Sequence, residues 1–263
     1  MARATPKTVT VARNPFQGVT QIIRFNWPYY VIGAIASVAG FSVLVWADLS
    51  RLGGAIVLFG MTVTVFWLLA SILVSFYVYD LSPLYRWDWL HGVVDKSPRV
   101  WVNFHAGLDE TTAAIRRLFP GSEGNAIDIY DPGKMDERSI QRARRAAPKS
   151  RDARSGDFSA LPLEDSECDT AFLILAAHEV RDPADRLRLF MELRRILKPG
   201  GTLILVEHLR DAWNFAAYGP GVRHFFTRAE WLRVTKDAHF SICNECKVTP
   251  FIRCLVFSRE QDL

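Results

Sequence analysis

Two stretches of this chain carry no charged residue: Asn26 to Ala47, and Leu52 to Tyr79. Each exceeds the roughly 20 apolar residues that cross a bilayer core, and uninterrupted apolar runs of that length are rare in soluble domains. Only Asp48-Leu-Ser-Arg51 separates them, so the pattern predicts two transmembrane helices within 26–79, joined as a tight hairpin. Residues 1–25 carry Arg3, Lys7, Arg13 and Arg24 and no acid, whereas the hairpin loop carries only Arg51. The positive-inside rule then predicts an integral protein of the cytoplasmic membrane, with both termini and the remaining domain cytoplasmic. A full span after a long leader does not read as a cleaved signal peptide. Trp27, Tyr29 and Tyr30 at one helix entry, and Tyr77, Tyr79, Tyr85, Trp87 and Trp89 at the other exit, are expected to form one aromatic belt.

After an interfacial junction at 80–99 the pattern changes to alternating short apolar runs and amphipathic stretches over 100–263. Strands are predicted at Val100 to Phe104, Ala126 to Tyr130, Asp152 to Ser155, Thr170 to Ala176 and Thr202 to Glu207. The fourth is apolar throughout, as in strands buried on both faces of a parallel sheet. Helices are predicted at Glu110 to Leu118, Met135 to Ala146, Ala184 to Leu197 and Ala229 to Asp237. Arg138, Arg142, Arg144 and Arg145 of the second read as a solvated face, and Pro199-Gly200-Gly201 stops the third. Strands at Ser241 to Val248 and Ile252 to Ser258 close the chain, which gives an α/β sheet of seven strands ending in a hairpin.

With 263 residues, 49% of them hydrophobic, the chain has room for one α/β domain of about 150–200 residues beside the hairpin. A net charge of +4 suits a domain held against anionic lipid, and no basic-aromatic motif points to nucleic acid. The expected partners are therefore the lipid bilayer and a lipophilic small molecule. A cytoplasmic setting argues against disulfides among Cys168, Cys243, Cys246 and Cys254. Cys243-Asn-Glu-Cys246 has metal-ligand spacing but no second pair to answer it.

The densest signal is Ser155 to Gly201. It runs Ser-Gly-Asp-Phe-Ser-Ala-Leu-Pro-Leu-Glu-Asp-Ser-Glu-Cys-Asp, then strand four, His178-Glu179, a helix, and Leu197-Lys-Pro-Gly-Gly201. This resembles the second half of a class I S-adenosylmethionine-dependent methyltransferase domain, the group that includes the ubiquinone/menaquinone C-methyltransferases. The resemblance implies a Rossmann-like seven-stranded methyltransferase domain, preceded here by a transmembrane helical hairpin, with S-adenosyl-L-methionine as cofactor. By the same resemblance Asp128 is expected to bind the ribose hydroxyls, and Asp157 the adenine amino group with Phe158 beside the ring.

The loop after strand one departs from the family's acid-x-Gly-x-Gly-x-Gly and reads Asn103-Phe-His105-Ala-Gly107-Leu-Asp109. It keeps the central Gly107, and the expectation is a reshaped cofactor pocket in which Asp109 meets the cofactor's ammonium and His105 faces the substrate. In open parallel sheets ligands bind beyond the carboxyl ends of the strands. His178 and Glu179 follow strand four there, His208 follows strand five and His224 lies in the next loop; these four are the candidate catalytic residues. His178-Glu179 and Glu207-His208 also have donor types suited to a divalent metal. The long connection from Glu207 to Thr227 mixes aromatic and polar residues, as an amphipathic acceptor such as a quinone, isoprenoid or lipid head group requires. Two other functions remain open: a non-methyl group transfer from the same cofactor, and a catalytically silent binding module.

Overall fold

The structure, a computed structural model, describes residues 13–94, 96–146 and 153–260; Arg3, Lys7 and Asp152 lie outside them. The chain opens with two long helices, α1 (Gln17–Trp46) and α2 (Arg51–Phe76). Both are long and apolar enough to cross a membrane. They are not core helices of the domain, because Ile35, Phe41, Leu58, Phe59 and Leu73 stand exposed. Ser50 caps α2 by accepting a hydrogen bond from Gly53 N at 3.2 Å. The first helical N–H groups of α1 are satisfied from another element. Asp80 accepts from Gly18 N at 2.7 Å and from Val19 N at 2.8 Å, which locks the entry of α1 to the exit of α2.

Helix α1 begins well before the uncharged run, since its first turns pack on the domain as well as on the exit of the second helix. Gln17 and Gln21 both donate to Glu110, as does Arg13 just ahead of the helix. The expected aromatic belt divides in the same way: Trp27 and Tyr29 are exposed, but Trp87 is buried. It lies in a core cluster with Leu84, Leu90, Trp101 and Ile115, and Tyr79 and Tyr85 pack against that cluster.

The sheet has seven strands: β1 (Val100–His105), β2 (Glu123–Asp128), β3 (Ala153–Ser155), β4 (Cys168–Ile174), β5 (Leu197–His208), β6 (Phe240–Thr249) and β7 (Ile252–Arg259). Their order is β3-β2-β1-β4-β5-β7-β6, parallel except for β7, which is antiparallel to both β5 and β6. The crossovers carry α3 (Thr112–Leu118), α4 (Arg138–Ala146), α5 (Pro183–Ile196) and α7 (Arg228–Asp237). The order reverses between β1 and β4, so the crevice for a ligand opens beyond the carboxyl ends of those strands.

Local differences from the sequence expectation have simple causes. Strand β2 starts three residues earlier and ends two earlier, because its register with β1 pairs Val100 with Glu123 and His105 with Asp128. Pro199-Gly200-Gly201 does not end the secondary structure; it forms a bulge within β5, between the Cys168–Leu197 and Thr170–Thr202 pairs. The long connection after β5 contains a helix, α6 (Ala212–Tyr218), capped by Asp211 accepting from Asn214 N at 2.9 Å. Cys243 is exposed on β6, while Cys246 lies across the strand pair from Cys254.

Candidate functional site

At the carboxyl ends of β1 and β2 the cofactor candidates meet α4. Asn103 is fully buried and donates from Nδ2 to the hydroxyls of Thr111 and Thr112 at 2.6 and 2.8 Å, so it anchors the start of α3. Asp109 Oδ1 accepts from Thr111 N and Thr112 N at 3.2 and 3.0 Å, a capping role that takes one oxygen away from any ligand ammonium. Its other oxygen lies 3.9 Å from His105 Nε2. The unit built by Asn103, Asp109 and the two threonines explains why this loop dispenses with two family glycines: side chains hold the turn.

Asp128 lies at the end of β2, but its carboxylate is engaged by a residue the sequence pattern assigned to solvent. Arg144 of α4 donates from Nη1 to Asp128 Oδ1 at 2.9 Å and from Nη2 to Oδ2 at 2.8 Å. The same guanidinium reaches Ala106 O at 3.1 Å and stands 4.1 Å above the Tyr130 ring. The solvated-face reading also fails for Arg142, whose Nε donates to Phe25 O of α1 at 2.6 Å. Beside them, Ile140 of α4 covers Gly107; a Cβ there would lie 3.4 Å from Ile140 Cγ1. No periodicity announces a fork-to-carboxylate contact, since it depends on how α4 folds back over β2.

Asp157 is exposed and forms a turn, its Oδ1 accepting from Ser159 N at 2.8 Å and Ser159 Oγ at 2.7 Å. Those bonds hold its carboxyl below the usual carboxylate range. Phe158 is buried in the core, with Lys134 Nζ 4.6 Å above its ring, so the side expected to face an adenine is covered.

The residues still fit S-adenosylmethionine in one respect: Asn103 Oδ1 and both His105 ring nitrogens are buried without a hydrogen-bond partner among the described residues. Buried orphans of that kind mark a place for a ligand's polar groups. The adenosine end is different, because Arg144 must leave Asp128 before ribose hydroxyls can take it.

At the ends of β4 and β5 the candidate catalytic residues separate into two sets. Leu175, just past β4, adopts a left-handed conformation at φ 53°, uncommon for a branched residue, and swings the following turn across the strand ends. That turn carries His178 and Glu179. Glu207, almost fully buried on β5, accepts from His178 N at 3.2 Å and from His178 Nδ1 at 2.7 Å. His178 Nε2 lies 3.5 Å from Glu179 Oε1. Burial alone would lower the His178 pKa, but Glu207 and Glu179 outweigh it and push it up to about 10. So paired with two carboxylates, the ring favours its imidazolium form.

His224 meets His178 edge to face, with ring centroids 4.8 Å apart, and its Nδ1 bonds Glu137, 2.9 Å from Oε2. That hydrogen bond holds the Glu137 carboxyl below its usual range. His208 is set apart: Phe225 stacks on it at 4.6 Å and comes between it and the other two rings. Asn214 donates from Nδ2 to Asp211 Oδ1 and Phe251 O, which orients its amide and leaves Oδ1 to accept from His208 Nδ1 at 2.9 Å. His208 Nε2 then accepts from Tyr79 Oη at 2.8 Å. Burial drives the His208 pKa down to about 3, so it is neutral with both nitrogens used. It is a tie between sheet and hairpin, and the expectation that three histidines share one cleft holds in the structure only for His178 and His224.

Comparison with known proteins agrees with this architecture. Residues 124–205 match the family model of a methyltransferase domain. A 23S rRNA (guanine(748)-N(1))-methyltransferase from Streptomyces fradiae is 30% identical over 115 residues, 44% of this chain and 35% of that protein. The chain thus spans about a third of the length of this curated relative. Among solved structures, a SAM-dependent methyltransferase from Methanosarcina mazei aligns with a TM-score of 0.50 at 19% identity, covering 66% of this chain and 98% of that one. At that identity the likeness shows the fold. Over residues 124–205 the sheet domain is thus similar to a methyltransferase domain, and its fold is that of S-adenosylmethionine-dependent methyltransferases.

Proposed function

We propose that the chain is a membrane-anchored S-adenosylmethionine-dependent methyltransferase whose acceptor is lipophilic or resident in the membrane. In this reading α1 and α2 span the cytoplasmic membrane and the sheet domain lies on its cytoplasmic side. The observation that carries it is the packing of the connection after β5 onto the hairpin. Trp67 of α2 meets Phe215 of α6 edge to face at 5.6 Å, and Gly219 sits so close that a Cβ there would lie 2.5 Å from the Trp67 ring. Tyr79, at the hairpin exit, bonds His208 at the end of β5. The end of β5 and the connection after it, which also carries His224, are thereby held against an apolar hairpin, where a lipophilic molecule would present its polar end.

The cofactor supplies an electrophilic methyl group when bound. Asn103 and His105 would hold its amino-acid end, and Asp128, once released by Arg144, its ribose. His178, Glu179 and His224 would position the acceptor and handle its proton, and the aromatic residues around His208 would exclude water. The Arg144–Asp128 pair also favours a second reading, a silent binding module whose cofactor site has been filled by its own side chain.

The test is label transfer in proteoliposomes that contain the full chain and extracted membrane lipids and quinones, with S-adenosylmethionine labelled separately in its methyl and aminocarboxypropyl carbons. Methyl label in a lipid or quinone supports the proposal. Label in RNA, the substrate type of the Streptomyces relative, would overturn the acceptor class. Aminocarboxypropyl label would redirect the chemistry, and no label despite bound cofactor would favour the silent module.

A further inference from the structure

The turn after β4 holds more than a methyl-transfer site requires. One ligand atom from each of His178, Glu179 and His224 lies within 4.8 Å of the others. We infer that these three residues form a site for one divalent transition-metal ion, with Glu207 and Glu137 orienting the two imidazoles. The assignment deepens the proposed methyl transfer and rests on it for the nature of the acceptor, but the ligand set stands on its own geometry.

The first argument is how the rings are held. Each imidazole has its Nδ1 on a carboxylate, Glu207 for His178 and Glu137 for His224, which leaves each Nε2 to other partners; that of His178 lies 3.5 Å from Oε1 of Glu179, the third residue of the cluster. A carboxylate behind an imidazole fixes the ring and raises its basicity, the arrangement by which proteins prepare histidines for metals. Here two neighbouring rings, from different segments of the chain, are prepared in the same way.

The second argument is an unmet need. If the cluster were only an ion pair between a His178 imidazolium and its acids, Glu179 would have found a donor for each oxygen. Its Oε2 is instead buried without a hydrogen-bond partner among the described residues. A cation between Glu179 and the two rings would satisfy it.

The charges agree. Glu137, Glu179 and Glu207 surround the rings, and the nearby Arg181 directs its Nη1 to the carbonyls of His178 and His224 at 3.3 and 2.5 Å, with Nε 3.8 Å from Glu137. Two imidazoles and one carboxylate suit Zn²⁺, Fe²⁺ or Mn²⁺ and leave positions open for an oxygen of the acceptor. An acceptor oxygen bound there would be favoured as its anion, the form that attacks a methyl group.

The experiment uses the full chain in detergent, purified without a histidine tag, stripped with chelator and titrated with Co²⁺. The expected result is one Co²⁺ per chain with the visible d–d absorption of nitrogen ligation, competed away by Zn²⁺. His224→Ala, at a half-buried position, should abolish that spectrum, and Glu207→Gln should weaken Co²⁺ binding about 10–100-fold. His239→Ala, at an exposed position remote from the turn, should leave it unchanged. S-adenosylmethionine binding by the same preparations reports folding. Cofactor binding without any Co²⁺ spectrum, or an unaltered spectrum in His224→Ala, would overturn the metal site. A metal spectrum without cofactor binding would support the site and count against the methyltransferase reading.

Discussion

Replacing Arg144 by methionine should tighten cofactor binding. The substitution keeps an unbranched aliphatic side chain and removes the guanidinium, both from above Tyr130 and from the fork that holds Asp128. Two charge-assisted hydrogen bonds, at 2.8 and 2.9 Å, keep that carboxylate closed, and both partners retain some exposure, 19% and 16% of their side chains. Bonds to charged groups contribute about 1.5–3 kcal/mol each when well formed, and access to water reduces this. A net preference of about 2 kcal/mol for the closed arrangement is a reasonable scale. Because apparent affinity is the intrinsic affinity times the fraction of open sites, removing the preference should tighten binding roughly 30-fold. Calorimetric titration of the detergent-solubilised full chain with S-adenosylmethionine measures this directly, with Asp128→Asn alone and combined with Arg144→Met completing a cycle. Unchanged affinity in Arg144→Met would show that the cofactor does not use Asp128. Weaker binding would show that the guanidinium is itself a cofactor ligand.

Other consequences can be checked on the same protein. His178, raised to about 10, stabilises the fold fully below its unfolded pKa near 6.5, and that contribution is lost as pH rises from 6.5 through 10. His208, depressed to about 3, binds its proton only when unfolded between pH 3 and 6.5, so its effect is lost stability as pH falls through that window. Thermal unfolding should therefore be most resistant near pH 6.5; Glu207→Gln should flatten the alkaline limb and His208→Gln the acid limb, and limbs unaltered by either would refute the assignment. Tyr79→Phe should cost about 1 kcal/mol by stripping the donor from His208 Nε2, seen as a lower melting temperature and earlier proteolysis at the hairpin junction. Gly124→Ala should destabilise by about 1–3 kcal/mol, because its Cβ would run into the fully buried Trp101 ring; a wild-type melting curve would contradict the packing.

The sequence carried the succession of strands and helices because each parallel strand is a short apolar run ending at polar residues, and that alternation is local. Thr170 to Ala176 and Thr202 to Glu207 are legible for this reason. What was not legible is set by contacts between distant segments. Glu110 shows no periodicity, yet it collects Arg13, Gln17, Gln21 and Tyr85 from the hairpin side. Arg144 reads like its exposed neighbours until α4 is folded over β2. Trp87 looks like a membrane-interface residue until a core closes around it. His178 and His208 lie past strand ends and His224 in the next loop, as read from the sequence, but their division into a prepared pair and a structural tie depends on Phe225, which stacks on His208 and meets the other two rings edge on.

The tie between Tyr79 and His208 has a consequence for selectivity. It joins the end of β5 to the exit of α2, and Trp67 clamps the next helix against the same shaft. With the hairpin seated in a bilayer as proposed, the reactive turn stays at one fixed height above the hydrocarbon and does not sample the surface on a tether. Such a protein works as a depth gauge. It would discriminate among acceptors by how far their reactive atom emerges from the membrane, so a change in tail length or bilayer thickness would alter turnover while every contact in the site stayed the same.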